Sequence, residues 1–177
     1  MKPVIRSYIA AAAALAAATP AGAQEIFGGV LVHDVDTPIT RSGIETGLDV
    51  QLGWRGGRIE ALGFIGRPSP YVFGSVSTEG NTSFAAAGLS WKFGDPLYVR
   101  PGVGLAIHDG PGEVVPGDNR IDFGSRILFE PEIAVGYQLN ERLSVEASWV
   151  HLSHAQLFGR QNPGMDSIGM RINYRFR

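Results

Sequence analysis

A short segment near the C-terminus contains the three residue types that nucleophilic catalysis by serine requires. His151 and Ser153 are separated by a single residue, and Asp166 follows them after a stretch that contains Gly, Asn and Pro. In a serine hydrolase the imidazole takes the serine proton, while the carboxylate holds the imidazole tautomer and stabilises its charge. The segment therefore predicts a Ser-His-acid site if the fold brings the three side chains together.

Two other interpretations of this segment compete with catalysis. His and Ser one residue apart are common by chance, so a strand end that emerges among lipid headgroups could carry them without any function. His151 with His154 could indicate a metal site, but residues three apart on a strand face opposite sides. We therefore expect no metal here, and the catalytic interpretation requires that His151, Ser153 and Asp166 share one surface.

The residues before His151 alternate as in a strand with one apolar and one polar face. The apolar parity contains Leu143, Val145, Ala147 and Trp149, and the polar parity contains Arg142, Ser144, Glu146 and Ser148. His151 and Ser153 continue the apolar parity. In a membrane barrel the apolar face meets lipid and the polar face lines the lumen, so both side chains are expected on the lipid-facing side.

Asp166 belongs to the start of the following strand. It shares the parity of the apolar residues Ile168, Met170, Ile172, Tyr174 and Phe176. Counted from the periplasmic strand ends at ~3.3 Å per residue, Asp166 lies at nearly the same height as His151 and Ser153. Cross-strand neighbours on one face have Cβ atoms only ~5 Å apart. The three groups are thus expected to converge on the outside of the barrel, near its outer rim.

Eight segments of the mature chain have strand character, which predicts an all-β fold. They run over 25–35, 43–54, 58–78, 83–93, 97–108, 124–138, 142–154 and 165–177. The third is interrupted by Arg67-Pro68-Ser69-Pro70, where we expect a bulge or kink because proline cannot donate to a ladder. Tight connections are expected at 55–57, 94–96 and 139–141, and longer ones at 36–42, 109–123 and 155–164. The connection at 79–82 is short and breaks this alternation. Short periplasmic turns with longer outer loops are typical of membrane barrels.

Strand length and the C-terminal pattern favour a membrane barrel over a soluble β-sandwich. Several segments exceed the ~9–11 residues that cross a bilayer at a tilt. The last segment ends in an alternating apolar stripe with Phe176 near the terminus. The sequence therefore predicts an all-β fold, an eight-stranded antiparallel transmembrane β-barrel of the outer membrane.

The interior of such a barrel is expected to be closed. Eight strands leave a lumen that side chains can fill, so we expect no channel. A lumen network is expected from Glu45, Asp49, Glu60, Glu132 and Glu146 together with Arg58, Arg100 and Arg126. His33 and His108 lie near other strand ends and are expected on the surface or in the lumen.

The N-terminal segment has the organisation of a cleaved export signal. Lys2 and Arg6 precede a short apolar run, and Ala21-Gly22-Ala23 is a small-residue cleavage site. Residues 1–23 are therefore expected to be removed, which leaves 24–177 as a single barrel domain. The chain of 177 residues has a formal net charge of −2 and no cysteine. This composition argues against nucleic-acid binding, a disulfide framework and a thiolate metal site.

The segment that ends at Asp166 resembles the C-terminal motif of the outer-membrane lipid A deacylases of the PagL type. The resemblance rests on His151-Leu152-Ser153, Ala155 and Asn162-Pro163-Gly164-Met165-Asp166, and on the shared plan of a signal peptide and eight strands. It implies that Ser153 is the nucleophile, His151 the general base and Asp166 the orienting acid. Asp166 is a shorter version of the glutamate that is frequent in that family, and His154 replaces a frequent asparagine.

The same resemblance implies an oxyanion hole and a substrate. The Asn162 side chain and the backbone N–H of Gln156 would hold the developing negative charge, although the family often has glycine at the second position. The implied reaction is hydrolysis of the 3-position acyl ester of lipid A, or of lipopolysaccharide, without a metal or organic cofactor. The residues by themselves indicate only an esterase that acts on a membrane lipid.

Other functions remain open from the sequence. A non-enzymatic structural, adhesive or resistance-conferring barrel would not need Ser153, and an outer-membrane phospholipase could use the same three residues. A soluble periplasmic β-sandwich that binds a ligand is disfavoured by the strand lengths. A homodimer is left open as a partner state, because the sequence does not determine the number of subunits.

Overall fold

The computed structural model describes residues 24–40, 43–111, 117, 119–155, 157 and 162–176. Its strands form a closed antiparallel barrel in which the first strand also pairs with the last. The strands are β1 (Glu25–Val32), β2 (Leu48–Arg55), β3 (Ser69–Ser77), β4 (Phe84–Ser90), β5 (Leu97–His108), β6 (Ile127–Gln138), β7 (Leu143–Leu152) and β8 (Met165–Arg175). This confirms the predicted eight-stranded barrel. Residues 1–23, the predicted export signal, lie outside the described residues.

The predicted third strand, 58–78, and the tight turn at 55–57 are wrong. β3 begins only at Ser69, and the connection from β2 contains a 3₁₀ helix over Glu60–Ile65. Gly66 ends this helix with a φ of 89°, in the left-handed region that glycine adopts at little cost. The strand therefore starts after this turn and not before it.

The other strands keep the predicted order with shorter ends. β2 begins at Leu48 instead of 43 and β6 at Ile127 instead of 124, because the preceding residues belong to loops. These loops lie at the end of the barrel opposite the chain termini. Short turns of membrane barrels face the periplasm, so the end with the termini and the β6–β7 turn is the periplasmic end. Within the described ranges, no helix has the length and hydrophobicity of a membrane span.

The two faces of each strand differ as a membrane barrel requires. In β2, Leu48, Val50 and Leu52 are exposed on the outside, whereas Asp49 and Gln51 are buried inside. Outward apolar side chains match the hydrocarbon of the bilayer, and inward polar side chains need partners in the lumen. The period-2 pattern of the sequence is therefore the pattern of the barrel wall.

Ion pairs fill the periplasmic half of the lumen. Arg100 Nε donates to Glu146 Oε1 at 2.8 Å, and Arg171 Nη1 donates to Glu132 Oε2 at 2.7 Å. Burying such charges is costly unless each is paired, and here the carboxylates and guanidiniums compensate one another. Glu132, Glu146 and Arg100 thus lie in the predicted network. The predicted members Arg58, Glu60 and Arg126 are instead exposed.

Apolar side chains fill the lumen between the ion pairs and the outer loops. The cluster consists of Phe27, Leu31, Tyr71, Phe73, Phe84, Ala86, Ala106, Ile121, Phe123, Leu128, Val150, Leu152 and Met165. It contains residues of the β5–β6 loop as well as of the strands, so the loop folds into the outer mouth. The lumen is therefore filled with packed side chains below the outer loops.

Candidate active site

The β7–β8 hairpin sets the positions of the three candidate residues. Its register pairs His151 directly with Asp166, as the count along the two strands predicted. Ser153 lies two residues beyond His151 and forms an isolated bridge with Phe129 of β6. The Ser153 N–H donates to Phe129 O at 3.2 Å, and Ser153 O accepts from Phe129 N–H at 2.7 Å. Both the N–H and the C=O of Ser153 are therefore bonded to β6.

An unbroken hydrogen-bond chain joins the three side chains. His151 Nδ1 lies 2.7 Å from Asp166 Oδ1, and His151 Nε2 lies 2.9 Å from Ser153 Oγ. A carboxylate only accepts, so Nδ1 carries the proton and Nε2 is free to accept from the serine hydroxyl. In this tautomer the imidazole can take the Ser153 proton while Asp166 stabilises the resulting charge.

The site opens to the outside of the barrel. His151 and Ser153 have the outward parity of β7 and are partly exposed. Asp166 has the outward parity of β8 but is fully buried, because the β1–β2 loop covers it. The Val35 N–H of this loop donates to Asp166 O at 2.7 Å. The acid is therefore shielded from water while the base and the hydroxyl remain accessible.

Two threonines of the β1–β2 loop complete the site. Thr37 Oγ1 donates to Asp166 Oδ2, and Thr40 Oγ1 lies 3.3 Å from His151 Nδ1. Sequence reasoning missed both residues, because they are far from the motif in the chain. Only the closure of the barrel between β1 and β8 brings their loop beside Asp166. The threonines carry no local signal that would identify them.

Asn162 bonds the residue that follows Ser153 in the chain. Its Oδ1 accepts the backbone N–H of His154 at 3.1 Å. This bond uses the amide oxygen, so the NH₂ group is the end of the side chain that can donate. Gln156, the second predicted oxyanion residue, lies outside the described residues.

His154 and His151 differ in their exposure. The His154 side chain is buried, whereas His151 opens to the outside. Within the described ranges no cluster of histidine, cysteine and carboxylate side chains is arranged to hold a metal ion. The described contacts of His151 are instead the hydrogen bonds to Asp166 and Ser153.

An apolar wall lies below the three side chains. Trp149, two residues before His151 on the same face, is paired with Ile133 of β6 and Ile168 of β8. Ile133 is 41% exposed and Ile168 is 40% exposed. The wall continues toward the periplasmic end through Ala147, which is flanked by Val135 and Met170. A hydrocarbon chain can therefore lie along the barrel with its polar end at Ser153.

A buried cluster holds the two ends of the β1–β2 loop together. His33 Nδ1 bonds Asp49 Oδ1 at 2.8 Å and His33 Nε2 bonds Glu45 Oε2 at 2.7 Å. Burial lowers the pKa of His33, but the hydrogen bonds and charges of Asp49 and Glu45 outweigh it and raise the pKa to about 9. The ring is thus a cation that donates to both carboxylates.

Glu45 extends this cluster to two further loops. Its carboxylate accepts the N–H and hydroxyl of Thr82, each at 2.8 Å, and the N–H of Ile121 at 2.8 Å. Burial raises the pKa of Glu45, but these bonds and the one from His33 together lower it below its usual value. The loop that covers Asp166 is therefore anchored to the rest of the outer end.

Comparison with known proteins assigns the chain to a family. Residues 40–175 match the family model described as lipid A 3-O-deacylase (PagL). A crystal structure of the outer membrane enzyme PagL is 16% identical, with 86% of this chain and 99% of that chain covered and a TM-score of 0.60. No curated protein sequence matches the chain.

Other barrels of similar fold include proteins that are not described as enzymes. Neisserial surface protein A is 12% identical, with 88% of this chain and 99% of that chain covered and a TM-score of 0.52. A de novo designed transmembrane β-barrel is 10% identical, with 89% and 99% covered and a TM-score of 0.52. At such identities the likeness shows only the fold, so the family match is the more specific finding. Because that match covers more than half of the sequence, the chain belongs to the lipid A 3-O-deacylase (PagL) family.

Proposed function

We propose that Ser153, His151 and Asp166 hydrolyse the 3-position acyl ester of lipid A on the lipid-facing side of the barrel, near its outer rim. The observation that carries this proposal is the hydrogen-bond chain from Asp166 through His151 to Ser153 on an outward surface. Family membership supplies the substrate and the position of the ester. We also propose that residues 1–23 direct the chain to export.

The reaction proceeds in two steps that need only side chains. Ser153 Oγ attacks the ester carbonyl while His151 Nε2 takes the hydroxyl proton, and the tetrahedral intermediate collapses when His151 returns that proton to the sugar oxygen. The sugar hydroxyl leaves, and the acyl group remains on Ser153. His151 then deprotonates a water molecule, which attacks the acyl-enzyme and releases the hydroxy fatty acid. Serine regains its proton from His151.

Asn162 is the side chain that we assign to the oxyanion. Its Oδ1 is occupied by the His154 N–H, which leaves Nδ2 to donate to the negative oxygen of the intermediate. Donors that are already oriented toward this charge are usually a large part of catalysis. The backbone N–H of Gln156 stays the predicted second donor.

The surroundings of the site favour a substrate held in the membrane. Ile133, Trp149 and Ile168 form an apolar wall directly below His151, so an acyl chain can remain in contact with apolar groups while its ester reaches Ser153. A polar ester at the headgroup level and a chain in the hydrocarbon match the two environments that meet here. A homodimer stays a prediction, which the size of the detergent-solubilised barrel tests.

Mass spectrometry of lipid A from outer membranes tests the proposal. The samples contain wild-type protein, Ser153→Ala or the control Ser148→Ala, at matched amounts of folded barrel. Ser148 lies on the inner face of the same strand and its buried hydroxyl has no hydrogen-bond partner, so its loss should change little. We expect loss of one hydroxyacyl mass with wild type and Ser148→Ala but not with Ser153→Ala.

Identical lipid A spectra for wild type and Ser153→Ala would refute the activity on that lipid. Release of fatty acid from phospholipid, abolished in Ser153→Ala, would then assign the same site to a phospholipase. Absence of both activities would leave the barrel as a non-enzymatic protein of the outer membrane.

A further inference from the structure

We propose that Thr37 is a positioning residue that orients Asp166 toward His151, an assignment that rests on the proposed esterase function. The carboxylate has two oxygens with separate partners. Oδ1 accepts from His151 Nδ1 at 2.7 Å, and Oδ2 accepts from the Thr37 hydroxyl. Thr37 thus holds the oxygen of Asp166 that does not take part in the chain to Ser153.

The direction of the Thr37 hydroxyl follows from its other bonds. Thr37 Oγ1 accepts the backbone N–H of Ile39 at 3.3 Å and that of Thr40 at 3.2 Å. A hydroxyl has two acceptor sites and one proton to donate. Because both acceptor sites are taken, the proton points at Asp166, which can only accept.

The side chain of an aspartate needs such a partner to hold one orientation. The terminal torsion of Asp is broad and roughly two-fold, so packing alone restricts the plane of the carboxylate weakly. With both oxygens bonded, rotation of the Asp166 carboxylate breaks either the bond to Thr37 or the bond to His151. The hydroxyl therefore keeps Oδ1 in line with the imidazole proton.

The Thr37 hydroxyl is itself fixed by backbone structure. Thr37 and Thr40 bridge each other, with the Thr37 N–H donating to Thr40 O at 3.0 Å and the Thr40 N–H donating to Thr37 O at 3.3 Å. Val35, two residues earlier, bonds the backbone of Asp166 at 2.7 Å. The loop thus approaches Asp166 through main chain and side chain together.

Three substitutions test this role on lipid A in mixed detergent micelles. Thr37→Val keeps the shape and removes the hydroxyl, Thr37→Ser keeps the hydroxyl, and Thr46→Val makes the same change at an exposed position of the same loop. We expect Thr37→Val to lower kcat about tenfold with KM changed less than about twofold, because misplaced catalytic groups slow the chemical step. Thr37→Ser should restore most of the rate, and Thr46→Val should match wild type.

The outcomes separate this assignment from the proposed function. If Thr37→Val is as active as the wild type, the positioning role is overturned and the proposed esterase function still stands. A fall that Thr37→Ser does not restore, or that appears equally in KM, indicates a structural role of the loop and also overturns it. An inactive wild type refutes the proposed function and the assignment with it. The heat-sensitive gel mobility of each folded barrel excludes misfolding as the cause.

A second and independent feature is the 3₁₀ helix between β2 and β3 at the periplasmic rim. Phe64 is 83% exposed and Ile65 is 42% exposed. Glu60 and Arg67 form an exposed ion pair of 3.2 Å at the two ends of this segment. This segment therefore combines an exposed apolar tip with an exposed ion pair.

We infer that Phe64 and Ile65 insert into the phospholipid of the inner leaflet. Trp91 Nε1 donates to Ile65 O at 2.7 Å, which attaches the helix to the end of β4. Exposed aromatic side chains lie at the periplasmic ends of other strands, at Phe93, Tyr137, Tyr174 and Phe176. Such girdles mark the membrane interface. β3 instead begins with Ser69 and Pro70, and its aromatic residues Tyr71 and Phe73 are buried in the lumen. Phe64 therefore continues the girdle at a strand end that presents no aromatic side chain to the outside.

The absence of cysteine from the chain allows a site-specific test. A fluorophore on Phe64→Cys is compared with one on Glu141→Cys, an exposed position of the periplasmic β6–β7 turn, in phosphatidylethanolamine–phosphatidylglycerol vesicles. We expect lipid-attached nitroxide to quench the label at 64 and aqueous iodide to quench the label at 141. Quenching by iodide and not by nitroxide at 64 would overturn the inference, since the helix would then face the periplasm.

Discussion

Asp166 illustrates how much of the site is set by single atoms. One carboxylate oxygen bonds His151 and the other bonds Thr37, so the tautomer of the imidazole and the plane of the acid are fixed at once. The carboxylate is buried and lies beside the partly exposed imidazole, and each of its oxygens accepts a hydrogen bond. A buried charge without such donors would be strongly destabilising.

Asp166→Asn should remove activity while it preserves the barrel. The Thr37 hydroxyl would bond the amide oxygen, which turns the amide NH₂ toward His151 Nδ1. The proton of the ring then moves to Nε2, which cannot accept from Ser153. We expect kcat to fall on the order of 10⁴-fold, as for a wrong tautomer in other triads, in initial rates on lipid A. A loss below about tenfold would show that the carboxylate charge is dispensable.

Asn162→Asp should separate the donor and acceptor roles of this side chain. A carboxylate can still accept the His154 N–H but has no NH₂ group for the oxyanion. We expect kcat to fall about 10²- to 10³-fold with little change in KM. Asn162→Gln serves as the comparison because it keeps both groups on a longer stem. Activity near the wild-type level in Asn162→Asp would remove Asn162 from the proposed oxyanion hole.

At the scale of elements, the β1–β2 loop connects two parts of the outer end. His33 and Glu45 anchor it to the lumen side, and Thr37 and Thr40 contact the candidate site. The β7–β8 loop approaches the site from the other direction, where a Cβ on Gly164 would lie 3.3 Å from His151 Cε1. Gly164 has a φ of 73°, so this close approach suits glycine alone. The β1–β2 and β7–β8 loops thus both contact the His151 imidazole.

The His33 cluster predicts a dependence of stability on pH. The pKa of His33 rises from 6.5 to about 9 on folding, so its contribution is complete below about pH 6.5 and is lost as the pH rises through about 9. The pKa of Glu45 is lowered on folding, so the contribution of Glu45 to stability is instead lost as the pH falls into the acid range. Urea unfolding of wild type and His33→Asn measures the effect. The penalty of the substitution should shrink by on the order of 3 kcal/mol between about pH 6 and about pH 10.

If His33→Asn lowered the free energy of unfolding equally at about pH 6 and about pH 10, the assignment of a charged His33 would be contradicted. It would mean that His33 contributes through packing and not through its charge. Because Glu45 accepts three hydrogen bonds from two other loops in addition to the bond from His33, the same unfolding series with Glu45→Gln should show a larger loss of stability at neutral pH.

At the scale of the whole molecule, the lumen is closed by two different layers. Arg55, Arg100 and Arg171 with their carboxylates occupy the periplasmic half, and the apolar cluster around Phe27, Phe73 and Phe84 lies above them. Ions would have to cross both layers. The outer surface remains the place where this barrel can meet a lipid substrate.

Planar bilayers that contain the purified barrel should therefore show conductance at background. Eight strands enclose only enough space for side chains, and those side chains are packed here. The measurement compares the barrel with the same detergent without protein. Discrete conductance steps that depend on the barrel would contradict the packed lumen and would point to a transport function.

The sequence alone determined the features that depend on local alternation. Parity assigned His151, Ser153 and Asp166 to one surface, and the two strands follow each other in the chain, so their relative height could be counted. The start of β3 was predicted wrongly because the 3₁₀ helix over Glu60–Ile65 has no period-2 pattern. Which carboxylates join the lumen network also depends on where each strand begins, and this is why Glu60 was misplaced.

The tertiary structure decided the contacts that depend on closure of the barrel between β1 and β8. β1 and β8 are at opposite ends of the chain, and only their pairing brings Thr37 to Asp166. The same closure buries an acid that parity alone placed on the outer face. A side chain's face is a property of its own strand and can be read locally. The partner that covers it comes from a strand distant in sequence, which no local pattern specifies.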